Sequence, residues 1–133
     1  MPKRILIIED NATNQKLAEI ILTKAGYAVL HAADAEQGII LARREQPDLI
    51  AMDIHLPGMD GLAATHFLRG DLATREIPIL ALTALAMKGD EERILAAGCD
   101  AYLSKPIRHA TLLEAVSRLL QSRGKTDAGK VDV

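Results

Sequence analysis

Five short apolar runs recur along the chain, and each is continuous rather than alternating with polar residues. A strand covered on both faces has this pattern, because neither of its sides meets water. The pattern therefore predicts five buried strands, at residues 5–8, 28–32, 49–52, 79–82 and 101–103.

Segments with helical spacing of apolar residues lie between these runs. Asn11 can cap the first helix, and Gly26 is placed to end it. The alternation of strands and helices predicts one α/β domain with a parallel sheet and right-handed crossovers. The remaining helices are predicted at residues 35–45, 62–69, 90–97 and 110–121.

The end of the chain differs in composition from the rest. From Ser122 onward it is rich in Gly, Lys, Asp and Thr and lacks a periodic apolar pattern. Such a segment has too little apolar surface to bury. We therefore expect the domain to cover residues 1–121 and residues 122–133 to form a disordered tail.

Composition narrows the function. Hydrophobic residues make up 49% of the 133 residues, enough for a sizeable core, but aromatic residues make up only 2%, which disfavours base stacking. The net charge of -2 offers no basic surface for nucleic acid. Cys99 is the only cysteine, and no apolar run is long enough for a signal peptide or a membrane span. We expect a cytoplasmic protein without nucleic-acid or membrane binding.

Polar residues that could bind a metal ion or take part in a reaction follow four of the five predicted strands. In parallel α/β folds, ligands bind beyond the carboxyl ends of the strands. If the first and third strands are neighbours, three carboxylates meet at one edge, with a hydroxyl and an ammonium beside them. These residues are Glu9, Asp10, Asp53, Thr83 and Lys105.

These residue types are the ones that a site for a metal ion and a phosphoryl group would use. Three close carboxylates cannot all stay ionised cheaply without a cation, and oxygen ligands suit Mg2+. Mg2+ in turn neutralises charge on phosphoryl groups, and a carboxylate can accept a phosphoryl group. Asp53 could then be the nucleophile, with Thr83 donating a hydrogen bond to the phosphoryl group and Lys105 pairing with it.

Simpler explanations exist for each residue taken alone. Glu9 and Asp10 could be a solvated strand end, and Asp53 could cap the turn that follows it. Thr83 could be an ordinary β-branched residue at a strand end, and Lys105 a surface lysine. The combination of all five is what favours a site.

Four motifs together resemble the response-regulator receiver domain of two-component signalling. They are EDN at 9–11, MDIHLPGMDG at 52–61, LTA at 82–84 and SKP at 104–106. The resemblance covers roughly residues 3–121. It implies a flavodoxin-like (βα)5 fold, a three-layer sandwich with a five-stranded parallel sheet in the order 2-1-3-4-5.

The resemblance also implies a metal site and a phosphorylation site. Asp53 would accept a phosphoryl group from a histidine kinase. Glu9 and Asp10 would form the acidic pair that holds Mg2+, with Asp10 the more direct ligand. Asp53 would add a carboxylate oxygen, and His55 its main-chain carbonyl. The His55 side chain is unusual at its position, which leaves the dephosphorylation rate open.

A switch is implied as well. Thr83 would be its hydroxyl and Tyr102 its aromatic ring, although a static, half-buried Tyr102 is the alternative. Lys105 is the lysine of the family, which is usually followed by a cis peptide bond, here to Pro106.

The predicted function is that of a single-domain response regulator, not an enzyme beyond its own phosphorylation and dephosphorylation. Phosphorylation would alter partner binding through the face of the fourth helix, fifth strand and fifth helix. A histidine kinase would dock on the first helix, near Ala12, Asn14, Gln15 and Lys16. Two alternatives stay open: a phosphorelay carrier that passes phosphoryl to a histidine phosphotransfer protein, and a phosphorylation-independent binding module.

Overall fold

Strands and helices alternate strictly along the chain. The computed structural model describes residues 2–84 and 88–132, with backbone only for residues 88 and 122–132. Each strand begins and ends within one residue of its predicted bounds. In order, the elements are β1 (Arg4–Ile8), α1 (Ala12–Lys24), β2 (Ala28–Ala32), α2 (Ala35–Glu45), β3 (Leu49–Asp53), α3 (Gly61–Gly70), β4 (Ile79–Thr83), α4 (Lys88–Ala96), β5 (Ala101–Ser104) and α5 (His109–Asp132).

All five strands pair in parallel, in the order β2-β1-β3-β4-β5. This confirms the predicted sheet and makes β1 and β3 neighbours at its centre. In the register, Asp53 of β3 lies opposite Leu82 of β4, and Thr83 lies opposite Ser104 of β5. The carboxyl ends of β1, β3, β4 and β5 therefore meet at one edge of the sheet.

Two apolar clusters cover the two faces of the sheet, which gives the predicted three-layer sandwich. Successive residues of a strand point to opposite faces. Leu6 and Ile8 accordingly pack with residues of α2, α3 and α4, while Ile5 and Ile7 pack with residues of α1 and α5. These four residues of β1 are fully buried, as their unbroken apolar sequence predicts.

Side-chain caps begin the first three helices. The side chains of Asn11, Asp34 and Asp60 each accept a hydrogen bond from a backbone N–H at the start of α1, α2 and α3. Gly26 follows α1 with a φ of +98°, a backbone conformation that glycine adopts without strain. Both predicted signals of the first helix, its cap and its end, are confirmed.

The last helix is longer than its predicted extent. Its backbone continues to Asp132, whereas the apolar spacing predicts an end at 121. The side chains of residues 122–132 and all of residue 133 lie outside the described part, so the tail at 122–133 stays a prediction. Within the described residues, no helix is long and apolar enough to cross a membrane.

Candidate functional site

Three carboxylates converge where the central strands end. β1 leads directly into Glu9 and Asp10, and Asp53 is the last residue of β3. One oxygen from each lies within 4.8 Å of the other two. Glu9 and Asp53 are only 2% and 4% exposed, whereas Asp10 is exposed. Glu9 is therefore not part of a solvated strand end. We call this region, with Thr83 and Lys105, the carboxyl edge.

The ammonium of Lys105 lies between two of these carboxylates. Its Nζ donates a hydrogen bond to Oε1 of Glu9 at 2.7 Å and pairs with Oδ2 of Asp53 at 3.2 Å. The peptide bond to Pro106 is cis, as predicted. With its side chain only 15% exposed, Lys105 is no ordinary surface lysine. The structure thus brings a lysine that follows β5 to acids that follow β1 and β3.

Backbone groups hold the two buried carboxylates in place. The N–H of His55 donates to Oδ1 of Asp53 at 3.0 Å, and the N–H of Asn11 donates to Oε2 of Glu9 at 3.3 Å. The ring of His31 on β2 makes a hydrogen bond to the Glu9 carbonyl at 3.1 Å. Asp53 therefore accepts a hydrogen bond from the turn that follows β3, as a residue that only capped this turn would. Its other carboxylate oxygen, however, pairs with Lys105.

Thr83 and Tyr102 lie beside this cluster on the last two strands. Thr83 ends β4 and is 1% exposed, and its carbonyl accepts a hydrogen bond from the N–H of Lys105 at 2.7 Å. Tyr102 is half-buried on β5, and Glu91 of α4 lies close enough to its hydroxyl to raise the pKa of that hydroxyl. The possible switch residues therefore connect the carboxyl edge to α4.

Gly61 is a part of the site that the predicted site residues do not include. A Cβ at this position would lie 2.5 Å from the Asp53 carbonyl oxygen and 2.7 Å from the Cα of Ile54. Its N–H donates to the Ile54 carbonyl at 2.9 Å. Only glycine lets α3 begin this close to the residue that leaves β3, and the Asp60-Gly61 pair within the motif at 52–61 is the available sequence signal.

The pKa values of the two buried carboxyl groups are shifted in opposite directions. Burial, and then the hydrogen bond with Asp53, raise the pKa of Glu9 from 4.5 to about 7, against the opposing effect of Lys105. Burial alone would raise the pKa of Asp53 too. Its hydrogen bonds from Glu9 and His55 and the charge of Lys105 outweigh burial and lower its pKa below the usual 3.8. Near neutral pH, Asp53 is thus the ionised carboxylate.

The pKa values of Lys105 and Tyr102 are also shifted, and the neighbouring residues explain both shifts. Burial alone would lower the pKa of Lys105, but the hydrogen bond with Glu9 and the charge of Asp53 raise it overall. The hydrogen bond with Glu91 raises the pKa of the Tyr102 hydroxyl. Lys105 therefore stays charged, and Tyr102 stays protonated, over the physiological range.

The donor set fits a hard divalent cation. Glu9, Asp10 and Asp53 offer only oxygen atoms, and Mg2+ takes oxygen ligands from a few carboxylates together with water. Among the described residues, Lys105 is the only cation that pairs with the buried acids. A second cation at this edge would favour the ionised form of Glu9, whose pKa is raised in its absence.

Comparison with known proteins identifies the family. The response regulator receiver domain matches residues 5–117, and the chain belongs to that family. Membership places it in two-component signalling, with histidine kinases as the expected class of partner.

Individual relatives sharpen this assignment. The polar-differentiation response regulator DivK of Brucella anthropi is 45% identical over 120 residues, covering 90% of this chain and 98% of that protein. DivK of Brucella abortus strain S19 is 44% identical with the same coverage. Two segments of the sequence resemble DivK in particular, AMKGDEER at 86–93 and CDAYLSKPI at 99–107, and the identities to these two relatives confirm the resemblance.

Solved structures agree with the fold. The receiver domain of the sensor histidine kinase PA1611 from Pseudomonas aeruginosa PAO1 has a magnesium ion coordinated in its active-site cleft. It is 40% identical to this chain with a TM-score of 0.85, covering 91% of this chain and 99% of that one. The chemotaxis protein CheY4 of Vibrio cholerae is 27% identical with a TM-score of 0.85, covering 90% and 99%.

Proposed function

We propose that this protein is a phosphorylation-switched response regulator whose phosphoacceptor is Asp53. The observation that supports this most strongly is the meeting of three carboxylates and one lysine at the carboxyl edge, with Asp53 the ionised member of the buried pair. A carboxylate attacks phosphorus only in its ionised form. In this role the protein accepts the phosphoryl group on its own side chain.

The transfer needs little chemistry beyond positioning. An oxygen of Asp53 forms a bond to phosphorus while the bond from phosphorus to the kinase histidine nitrogen breaks. The hydrogen bond from the His55 N–H leaves Oδ1 oriented, and Lys105 lies 3.2 Å from Oδ2. The ammonium of Lys105 then pairs with the added phosphoryl oxygens, and the Thr83 hydroxyl donates to them.

Glu9, Asp10, Asp53 and the main-chain carbonyl of His55 are the residues that would hold Mg2+. When bound, Mg2+ supplies positive charge that offsets the carboxylates and the incoming phosphoryl group. The burial of Glu9 and the exposure of Asp10 support a division of roles, with Asp10 the ligand that is open to a hydrated ion. The N–H of Asn11 keeps the Glu9 carboxylate turned toward the site.

Phosphorylation would alter partner binding through the face of α4, β5 and α5. A movement of Thr83 toward the phosphoryl group leaves space for the Tyr102 ring, whose hydroxyl then moves away from Glu91. Such a switch shifts the population between two states of the face. The partners are proteins, not nucleic acid or membrane, and the site of action is the cytoplasm.

The histidine kinase would dock on α1, near Ala12, Asn14, Gln15 and Lys16. The exposed side chains of Leu17 and Ile20, at 40% and 45%, add apolar surface to this helix, which begins next to the carboxyl edge. The same surface favours one further candidate function. A phosphorelay carrier would use it to pass phosphoryl to a histidine phosphotransfer protein, and back-transfer to such a purified protein tests that role.

The test of phosphorylation is the intact mass of the protein after incubation with acetyl phosphate, with and without Mg2+. We expect one phosphoryl adduct in the wild type that requires Mg2+, and none in Asp53→Asn. Asp60→Asn is the matched control, because it makes the same chemical change seven residues away and asparagine caps α3 as well as aspartate does. The control is expected to form the adduct.

Failure of the wild type to form an adduct while folded would contradict the proposal. It would favour the phosphorylation-independent binding module instead. An adduct that persists in Asp53→Asn would place the phosphoacceptor elsewhere.

A further inference from the structure

A single guanidinium connects three segments at the opposite end of the sheet. Arg69, in the last turn of α3, donates from Nε to the Gly98 carbonyl at 2.8 Å. Its Nη1 donates to the carbonyls of Ile77 and Arg75 at 2.7 and 2.9 Å, and its Nη2 to Oδ2 of Asp100 at 2.6 Å. α3 is thus tied to the segments that lead into β4 and β5.

Asp100 connects the start of β5 to the start of β4. Its Oδ2 accepts a second hydrogen bond from the Ile79 N–H at 2.8 Å, and its own N–H donates to the Ile79 carbonyl at 2.9 Å. Gly98 has a φ of +113°, and a Cβ there would lie 2.8 Å from Cγ of Arg69. The packing around Arg69 is therefore close. We call Arg69, Asp100 and Ile79 the amino edge.

β5 needs such an anchor more than the other strands that deliver site residues. β1, β3 and β4 have a neighbouring strand on both sides, whereas β5 pairs only with β4. A shift of one residue in a strand's register moves every side chain to the other face. Tyr102 lies on β5 and Lys105 follows it directly, so the register of this edge strand decides whether Lys105 faces Glu9 and Asp53.

We propose that Arg69 and Asp100 are positioning residues that fix the register of β5 and thereby place Lys105 at the carboxyl edge. They act at a distance, since the four residues of β5 span roughly 13 Å at about 3.3 Å per residue. The functional consequence rests on the proposed role of Lys105, but the positioning role can be tested without phosphorylation.

The first test is amide hydrogen exchange at Lys105, whose N–H donates to the Thr83 carbonyl at the far end of β5. In Arg69→Met we expect this amide to exchange about tenfold faster relative to the amides of β1, because the strand is loosened locally rather than the whole fold. Arg43→Met is the control, since it removes an arginine whose ion pair is with Asp71, 2.9 Å away. Wild-type protection of Lys105 in Arg69→Met, or equal loss in both variants, would overturn the proposal.

The second test asks whether Arg69 acts through Lys105. We expect Arg69→Met to weaken binding of beryllofluoride, a phosphoryl mimic, about fivefold at saturating Mg2+ without weakening Mg2+ binding itself. Adding Arg69→Met to Lys105→Ala should then cost little more, because the lysine that it positions is already absent. Fully additive losses would overturn the proposal. If the wild type binds no beryllofluoride, the proposed function fails, while the exchange experiment still decides the positioning role.

Asp100→Asn covers the case in which Arg69→Met does not fold. It keeps the shape of the side chain but removes the charge that pairs with Arg69. We expect the same local loss of protection at Lys105, about threefold, with Asp71→Asn unchanged as its control. Unchanged protection in Asp100→Asn would overturn the proposal.

Discussion

The two edges of the sheet handle charge in opposite ways. At the amino edge, the charge of Arg69 meets one carboxylate and three carbonyl oxygens, all within 2.9 Å. At the carboxyl edge, three carboxyl groups converge, two of them pair with Lys105, and the pKa of Glu9 rises to about 7. The first edge is satisfied by the chain itself, whereas the second offers carboxylate oxygens that could take up an added cation.

This difference shows which end of the sheet can respond to a bound ion or to a chemical modification. A fully paired group resists movement, because any displacement breaks several hydrogen bonds that the chain itself has already made. An undercompensated cluster responds to a cation, a proton or a phosphoryl group, since each changes its energy. The following variants test this difference between the carboxyl edge and the rest of the fold.

The largest effect is expected from Gly61→Ala at the carboxyl edge. The new Cβ would meet backbone atoms of Asp53 and Ile54, which cannot turn aside as a flexible side chain can. We expect a loss of about 3 kcal/mol in the free energy of unfolding, measured by urea denaturation. Gly70→Ala, at the end of the same helix with open space around it, should be neutral or slightly stabilising. Equal effects of the two would contradict this.

A pH-dependent effect of up to about 3 kcal/mol is expected next. Because the pKa of folded Glu9 is raised from 4.5 to about 7, the folded protein binds more protons than the unfolded one between these values. In the absence of Mg2+, stability should therefore fall as the pH rises through this window. Thermal unfolding at several pH values measures the slope.

Two variants test the origin of that slope. Glu9→Gln should flatten it, whereas Glu114→Gln, on the exposed face of α5, should leave it unchanged. Saturating Mg2+ should also flatten it, because a cation favours the ionised acids. A slope that survives in Glu9→Gln would show that the carboxyl edge is not its source.

A more selective effect is expected from Lys105→Ala. Removing the ammonium takes away a partner of the phosphoryl group but also a positive charge that competes with a metal ion. We expect beryllofluoride to bind about tenfold more weakly, about 1.4 kcal/mol, while Mg2+ affinity is not weakened. Titrations followed by the tyrosine signal measure both. Wild-type affinity for beryllofluoride in this variant would refute the role of Lys105 in the switch.

The smallest effect is expected from Arg118→Ala on α5. Its ion pair with Glu114 measures 2.8 Å, but the two side chains are 74% and 72% exposed. Such a surface pair contributes under about 0.5 kcal/mol. Urea denaturation should detect almost no change, which sets the baseline against which both edges are compared. A loss above about 1 kcal/mol in the free energy of unfolding would contradict the expectation that solvent exposure weakens this ion pair.

The sequence predicts the carboxyl edge better than the amino edge. The carboxyl-edge residues follow apolar runs directly, so strand order alone brings Glu9, Asp53 and Lys105 together. No such signal marks Arg69, which lies within a helix and meets its acceptors only through tertiary packing. The opposite pKa shifts of Glu9 and Asp53 could not be predicted from the sequence either, because they depend on burial and on distances of a few ångströms.

The most direct measurement of the central proposal is to locate the phosphoryl group at residue level. After phosphorylation with acetyl phosphate and Mg2+, borohydride reduces an aspartyl phosphate to homoserine, which peptide mass spectrometry can place in the sequence. We predict homoserine at position 53 and at no other aspartate. Homoserine elsewhere, or none in a folded and Mg2+-bound protein, would contradict the assignment of Asp53 as the phosphoacceptor.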